Sequence, residues 1–301
     1  MKIVFMGTPD FAVPTLKRLA EKHEVLGVFT QPDKPRGRHM TLTPSDVKVV
    51  AEKLNIPVYQ PESLKHGEAM PILEELRPDV IVVAAYGQIL KEDVLNFPKY
   101  GCINAHGSLL PKYRGAAPIQ RAVLDGEKYA GVTAMQMDVG LDTGDMLLAK
   151  SVEIGENETA GELFDRLAII AADVIEETLD NIDNLEPKPQ DDAESSYAKM
   201  LSKAECPIDW NKPAFNIHKQ ICGLNPWPSA QTTLGTEEIK IHMSHMTDKT
   251  SDKLPGTIID GKFVVCGDGK LLELIEVQAR ASKRMNIKDY LLGHKLEGVF
   301  D

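Results

Sequence analysis

Seven consecutive apolar residues, Val80-Ile-Val-Val-Ala-Ala-Tyr86, form the longest unbroken hydrophobic run in the chain. The run is far short of the roughly 20 residues that cross a bilayer as a helix. Its lack of polar alternation marks a strand buried on both faces, and such strands belong to parallel sheets covered by helices. The preceding segments supply the matching rhythm. Lys2–Met6 is a short apolar run ending at Gly7, and a helical pattern continues through Leu16 and Leu19. Val25–Thr30 is apolar and β-branched; a polar loop, Gln31–Ser45, separates it from a helix over Asp46–Leu54. Val58–Gln60 reads as a short strand and Ile72–Leu76 as a helix. This alternation predicts a mostly parallel sheet with right-handed crossovers.

After Gly101 the pattern changes. Gly131–Met137 and Asp145–Ile154 are β-rich and flank Asp138-Val-Gly-Leu-Asp-Thr-Gly144, a Gly- and Asp-rich loop between paired strands. Thr159–Leu179 reads as a helix, with Thr159 and Glu162 in capping-box spacing. Glu186–Ser196 is rich in Pro, Asp and Ser without apolar period, the composition of a linker. Beyond it a helix over Phe215–Gly223 is stopped by Asn225-Pro-Trp-Pro228. Short β runs follow at Glu238–His242, Gly256–Ile259, Lys262–Cys266 and Leu271–Val277, with turn signals at Asp260-Gly261 and Gly267-Asp268-Gly269. The expected architecture is α/β: a Rossmann-like, mostly parallel sheet domain over residues 1–188, a linker over 189–206, and a small β-barrel (OB-like) domain over 207–301.

Composition is that of a globular protein, with 43% apolar and 26% charged residues. The net charge of −11 is concentrated in residues 151–200, and the rest of the chain balances. Basic clusters stand at Lys34–Arg38 and Arg280–Lys288, so an acidic total does not exclude a polyanionic partner. If that segment is helical, Arg280, Arg284 and Lys288 would share one face. The four cysteines lie far apart with no CxxC, which argues against disulfides and structural zinc and for a reducing cytoplasm. The N-terminus does not have the form of a signal peptide. GxGxxG, GxxxxGK[ST], HExxH and GxSxG are all absent, which removes most support for dinucleotide, NTP and zinc-hydrolase readings.

Chemistry concentrates in Cys102-Ile-Asn-Ala-His-Gly-Ser-Leu-Leu-Pro111. Asn104 and His106 are two apart, so an extended segment projects both from one face. An amide donor beside an imidazole suits stabilisation of an oxyanion at a carbonyl under attack. A structural Asn–His pair bonded to the backbone is the plainer alternative. A carboxylate on the 138–144 loop or just after it could orient the imidazole or collect a proton from an attacking amine. On spacing alone Asp138, Asp142 and Asp145 are equal candidates.

These motifs together resemble the 10-formyltetrahydrofolate-dependent formyltransferases. The likeness is carried by Asn104-x-His106 with Ser108-Leu-Leu-Pro111, by Tyr113-Arg-Gly-Ala-Ala-Pro-Ile-Gln-Arg121, and by Leu141-Asp-Thr-Gly-Asp145. It extends to Gly7-Thr-Pro-Asp-Phe11, Thr30-Gln-Pro-Asp33 and Gly223-Leu-Asn-Pro-Trp-Pro228, over nearly the whole chain. The resemblance implies a catalytic triad of Asn104, His106 and Asp142, and a folate-binding stretch of Ser108, Leu109, Leu110 and Pro111. It implies transfer of the formyl group of 10-formyltetrahydrofolate to the α-amine of methionyl-initiator tRNA, without metal. The amide of Asn104 and a protonated His106 would hold the oxyanion, and Asp142 would pair with His106 and help remove the amine proton. Lys34, Arg36 and Arg38 match a basic insertion that grips the tRNA acceptor stem. Where the family commonly carries a glycine and two lysines just after it, this chain has His39, Met40 and Thr41. The expected protein is a cytoplasmic monomer with no membrane partner, its small C-terminal domain binding tRNA.

Other acceptors stay open at this level. A glycinamide ribonucleotide fits poorly with a full second domain, and an amino-sugar nucleotide with the basic insertion. A formyl-folate hydrolase would share the triad, and a binding protein would keep the scaffold without turnover.

Overall fold

Val80–Ala84, buried at every residue, is the middle strand of a seven-stranded sheet. It lies parallel to Lys2–Gly7 on one side and Cys102–His106 on the other. Glu24–Phe29 and Val58–Tyr59 continue the parallel set beyond Lys2–Gly7. Past Cys102–His106, Tyr129–Gln136 runs antiparallel and Met146–Glu153 forms the edge. The chain winds outward from Lys2–Gly7 in one direction and then resumes on its other side at Val80–Ala84. That reversal opens a crevice at the carboxyl ends of the parallel strands, where open α/β sheets bind ligands. Tyr86, Phe29, Met6 and Leu73 pack the core on one face of this sheet.

The computed structural model describes residues 1–36, 40–65 and 67–301, with Arg36 described by its backbone. These fall into two units. The first gathers Met1–Gly115, Ala130–Val152 and Phe164–Tyr197; the second gathers Ala116–Tyr129, Glu153–Leu163 and Ala198–Asp301.

The expected polar loop Gln31–Ser45 contains a short hairpin, Lys34–Arg36 paired with Thr41–Thr43. Its root is fixed. Lys48 Nζ donates to Asp33 at 2.8 Å, Gln60 Nε2 donates to the same carboxylate at 2.7 Å, and Thr30 and Ser45 hydroxyls meet at 2.7 Å. Arg38 and His39 lie outside the described residues.

The capping box is present as expected: the Thr159 backbone N–H and hydroxyl donate to Glu162, and the Glu162 N–H returns to the Thr159 hydroxyl, at the head of the helix Ala160–Asp180.

In the second unit an antiparallel sheet runs in the order Ala230–Leu234, Glu237–Thr250, Lys270–Ala279, Phe263–Val265, Ile258–Ile259, and Met285–Asn286 pairs with Lys270–Ala279. It curls as a half-barrel. Trp210, Ile217, Ile239, Leu274 and Val277 fill its core. The strand read as Glu238–His242 extends to Thr250, because register shifts near Met243 and Met246 let the ladder continue where apolar alternation stops.

The segment from Arg280 to Lys288 is not a single helix, so the condition for a shared face is not met. Arg280, Arg284 and Lys288 do not share a helix face. Arg280 follows the end of a strand, Arg284 lies in the turn, where its Nε donates to Glu276 at 2.6 Å, and Lys288 stands in the first turn of the helix Ile287–Gly293. The apolar run before Arg280 pairs as β structure on both of its edges, which overrides the i, i+4 spacing.

Glu205 closes the entry to this unit. Its carboxylate accepts from both terminal nitrogens of Arg121 and from the Ser202 N–H, which holds its pKa down to about 2, chiefly through Arg121. Because the folded pKa lies below the unfolded one, this contribution is complete above the ordinary carboxylate range and is lost as pH falls toward 2. Glu205→Gln is expected to lower unfolding free energy by about 1–3 kcal/mol at pH 7. In denaturant titrations the gap to the wild type should close as pH falls below about 4; a gap that persists at pH 2 would contradict the assignment.

Candidate active site

Asn104 and His106 leave the same face of the strand Cys102–His106, about 7 Å apart along the backbone. Val83 pairs with Asn104 on one side and Met135 on the other, and Thr133 pairs with His106. Both side chains are thus mounted on an interior strand rather than a loop. His106 is buried. The Asn104 carboxamide is half-buried and has no hydrogen-bond partner among the described residues.

His106 is oriented by the backbone. Its Nε2 lies 2.8 Å from the carbonyl oxygen of Tyr113. A carbonyl only accepts, so Nε2 carries the proton, and Nδ1 is the nitrogen free for chemistry. Asp142 Oδ2 stands 3.7 Å from Nδ1. That separation is an ion-pair distance, longer than a hydrogen bond, and leaves Nδ1 open to a third group.

The loop bearing Asp142 leaves the sheet at Gln136, opposite Ile103, and folds back to reach His106, roughly 10 Å further along the strand. Several contacts hold it there. Asp138 accepts from the Gly140 N–H at 3.0 Å and the Thr143 hydroxyl at 2.7 Å, closing the turn on itself. Asp142 Oδ2 also accepts from the Gly115 N–H at 2.8 Å. Asp142 adopts φ +53, a left-handed conformation rarely taken by a residue with a side chain. Gln190 Nε2 donates to the carbonyls of Asp142 at 2.9 Å and Gly144 at 2.7 Å. Of the three aspartates that spacing could not separate, Asp142 is the one whose carboxylate faces the imidazole.

The stretch Ser108–Pro111 is mostly turned inward. The Ser108 hydroxyl donates to the Lys112 carbonyl at 2.7 Å, its own carbonyl accepts from Thr133 at 2.7 Å, and Leu110 is buried. Lys34 is exposed at the start of the hairpin. The hairpin rises from the carboxyl side of Glu24–Phe29, three sheet positions from Cys102–His106, so its root stands about 14 Å across the sheet from the strand bearing Asn104 and His106, on the same carboxyl edge.

Sequence reasoning did not single out Gln190, the Gly115 amide or the Tyr113 carbonyl. The last two lie inside the quoted 113–121 motif, but backbone groups carry no residue-type signal. Gln190 sits in a segment whose composition announces only a linker.

The family model for formyl transferase matches residues 1–179, and that for its C-terminal domain matches residues 200–295. The chain belongs to the formyl transferase family. It is 50% identical over 304 residues to the methionyl-tRNA formyltransferase of Clostridium novyi (strain NT), covering 99% of this chain and 98% of that one. It is 46% identical to the methionyl-tRNA formyltransferase of Geobacter metallireducens, covering 99% and 97%. Among solved structures it shares its fold with WlaRD, a sugar 3N-formyl transferase in the presence of dTDP and 5-N-formyl-THF. There the TM-score is 0.70 at 21% identity, over 94% of this chain and 99% of that one.

Gly144 permits the loop's close approach: a Cβ there would lie 1.8 Å from the Gln136 carbonyl oxygen. Gly144→Ala must push the loop away from the strand, and a shift of an ångström at a catalytic group costs about 10²-fold in rate. Steady-state formyl transfer by this variant is expected to fall by about that factor with the far-ultraviolet circular dichroism unchanged. Full turnover would mean that the loop's placement does not matter.

Proposed function

We propose that this protein transfers the formyl group of 10-formyltetrahydrofolate to the α-amine of methionyl-initiator tRNA, using Asn104, His106 and Asp142. The observation that carries the reading is an unpartnered carboxamide and a tautomer-fixed imidazole on one strand face, with a loop carboxylate 3.7 Å from that imidazole, in a chain about half identical to methionyl-tRNA formyltransferases over its full length.

A free α-amine titrates near 7.7–8.0, so about a tenth to a sixth of it is neutral and nucleophilic at pH 7. As the amine adds to the formyl carbon, the formyl oxygen gains negative charge. The Asn104 N–H and the Nδ1–H of a protonated His106 donate to that oxygen. Asp142 balances the imidazolium and accepts the proton released by the amine, which then passes to the departing folate nitrogen. The C–N bond to the folate breaks as the oxygen's charge returns to a carbonyl. Preorganised donors of this kind are each worth about 2.7–4 kcal/mol in the transition state.

The surroundings fit a folate donor. Val139 and Leu141, on the loop that carries Asp142, are 74% and 56% exposed, which offers an apolar surface for flat rings beside the carboxylate. Ser108, Leu109, Leu110 and Pro111 are assigned to the folate site, with Ser108 and Leu110 buried and Leu109 and Pro111 partly exposed. No metal is assigned a role.

Lys34, Arg36 and Arg38 are assigned to phosphates of the acceptor stem, which position the nucleic acid without reading its sequence. The C-terminal unit is assigned to tRNA as well, and residues 1–188 to catalysis. The protein is placed in the cytoplasm as a monomer. Support for a reducing compartment comes from four free, buried cysteines, with burial pushing the Cys102 and Cys266 thiols up to about 12.

The test is incubation of the purified protein with formyl-folate and charged initiator tRNA, followed by detection of acid-stable formyl-methionine. The wild type is expected to form it, and Asn104→Ala to lose about 10²–10³-fold in kcat. Formate release without acceptor would support a hydrolase instead, and undiminished kcat in Asn104→Ala would remove Asn104 from the mechanism.

The second expectation concerns salt. Lys34→Ala should raise KM for the tRNA and flatten its salt dependence by about one unit of log–log slope, leaving kcat intact. An unchanged slope would take Lys34 out of the interface.

A further inference from the structure

The segment with the composition of a linker is stitched to the catalytic loop. Lys188 and Met146 exchange backbone hydrogen bonds of 2.8 and 2.9 Å. Two residues on, Gln190 uses both N–H groups of its carboxamide on the carbonyls of Asp142 and Gly144, and its oxygen accepts from Arg114 Nε at 2.9 Å. The Arg114 guanidinium also pairs with Asp192 at 2.8 Å. At the far end, Ser196 accepts the Tyr113 N–H on its hydroxyl at 2.9 Å and the Arg114 N–H on its carbonyl at 2.8 Å. Tyr113 is the residue whose carbonyl holds His106 Nε2, and like Asp142 it adopts a left-handed backbone, φ +61.

We propose that residues 188–196 form a brace that sets the catalytic pair, with Gln190 as a positioning residue for Asp142 and Ser196 as one for His106 through Tyr113. This rests on the function proposed above.

The chemistry of position 190 is specific. Two donors and one acceptor must lie in one plane, the donors toward two carbonyls and the acceptor toward a guanidinium. Among side chains that set belongs to a primary amide; a carboxylate lacks the donors and a cation lacks the acceptor. All three bonds are made at a half-buried site, so the Gln190 carboxamide is satisfied and held stiffly. Its two donors grip the peptide groups on either side of the Asp142–Gly144 turn. Arg114 and Gly115 complete a closed circuit, the first anchoring Gln190 and the second donating to the Asp142 carboxylate. The brace therefore acts on the two backbone positions in the site that most need holding in place, both in sparsely populated conformations.

Formyl transfer by the wild type, measured first, tests the underlying function separately. Gln190→Ala and Gln190→Glu are then compared; the second keeps side-chain length and an acceptor for Arg114 but removes both donors. Both variants are expected to lose about tenfold or more in kcat, with KM for formyl-folate and for methionyl-tRNA within about twofold of the wild type. The deciding readout is a double-mutant cycle with Asp142→Asn. If Gln190 works through Asp142, replacing it in that background costs less than about twofold further. Ser196→Ala, at an exposed position that folding tolerates, should give a smaller kcat loss that vanishes in a His106→Asn background. Equal losses with and without Asp142, or losses confined to KM, would overturn the brace, as would full kcat in Gln190→Glu.

Discussion

One hydrogen bond, from His106 Nε2 to the carbonyl of Tyr113, decides which side of the imidazole is available for chemistry. With the proton fixed at Nε2, the ring presents Nδ1 to Asp142 and to whatever enters between them. The same ring with its proton on Nδ1 would direct a bound N–H at the carboxylate and leave Nε2 against a carbonyl with no proton to give. Burial makes the constraint strict, because an imidazole removed from water cannot exchange partners cheaply. The rest of the site can be read as support for that single orientation.

The supports divide by rigidity. Asn104 and His106 stand on a strand hydrogen-bonded on both edges, whose register sets their spacing. Asp142 and Tyr113 lie on loops and have left-handed backbones, so they depend on neighbours for their positions. Gly115, Gln190 and Ser196 supply those neighbours through bonds to backbone and carboxylate. The sheet therefore fixes the groups proposed to face the developing charge. Loop residues fix the groups proposed to tune the imidazole and accept the proton.

The sheet was legible because its strands advertise burial. Val80–Ala84 carries no polar residue and occupies the centre, and the alternation around it matches the parallel order. The pairing of Asn104 with His106 was legible for the same reason, since strand periodicity places i and i+2 on one face. Asp142 was not separable from Asp138 and Asp145 by spacing, because the choice depends on how the loop folds back along Cys102–His106. Asp138 turned inward to Thr143 while Asp142 turned toward the ring. Gln190 was invisible for a deeper reason. Pro- and Asp-rich composition reports that a segment lacks regular structure, and says nothing about where its side chains reach. The Arg280–Lys288 cluster is the opposite case: its spacing suits a helix face, but strand pairing takes precedence.

The protonation geometry of His106 supports every other step, and nitrogen-15 NMR of its imidazole reads it directly. With selectively labelled histidine at a pH where the ring is neutral, Nε2 is expected to be protonated and Nδ1 bare. Asp142→Asn should perturb the Nδ1 resonance far more than that of Nε2. A neutral ring carrying its proton on Nδ1, with Nε2 bare toward the Tyr113 carbonyl, would contradict the arrangement on which the mechanism depends.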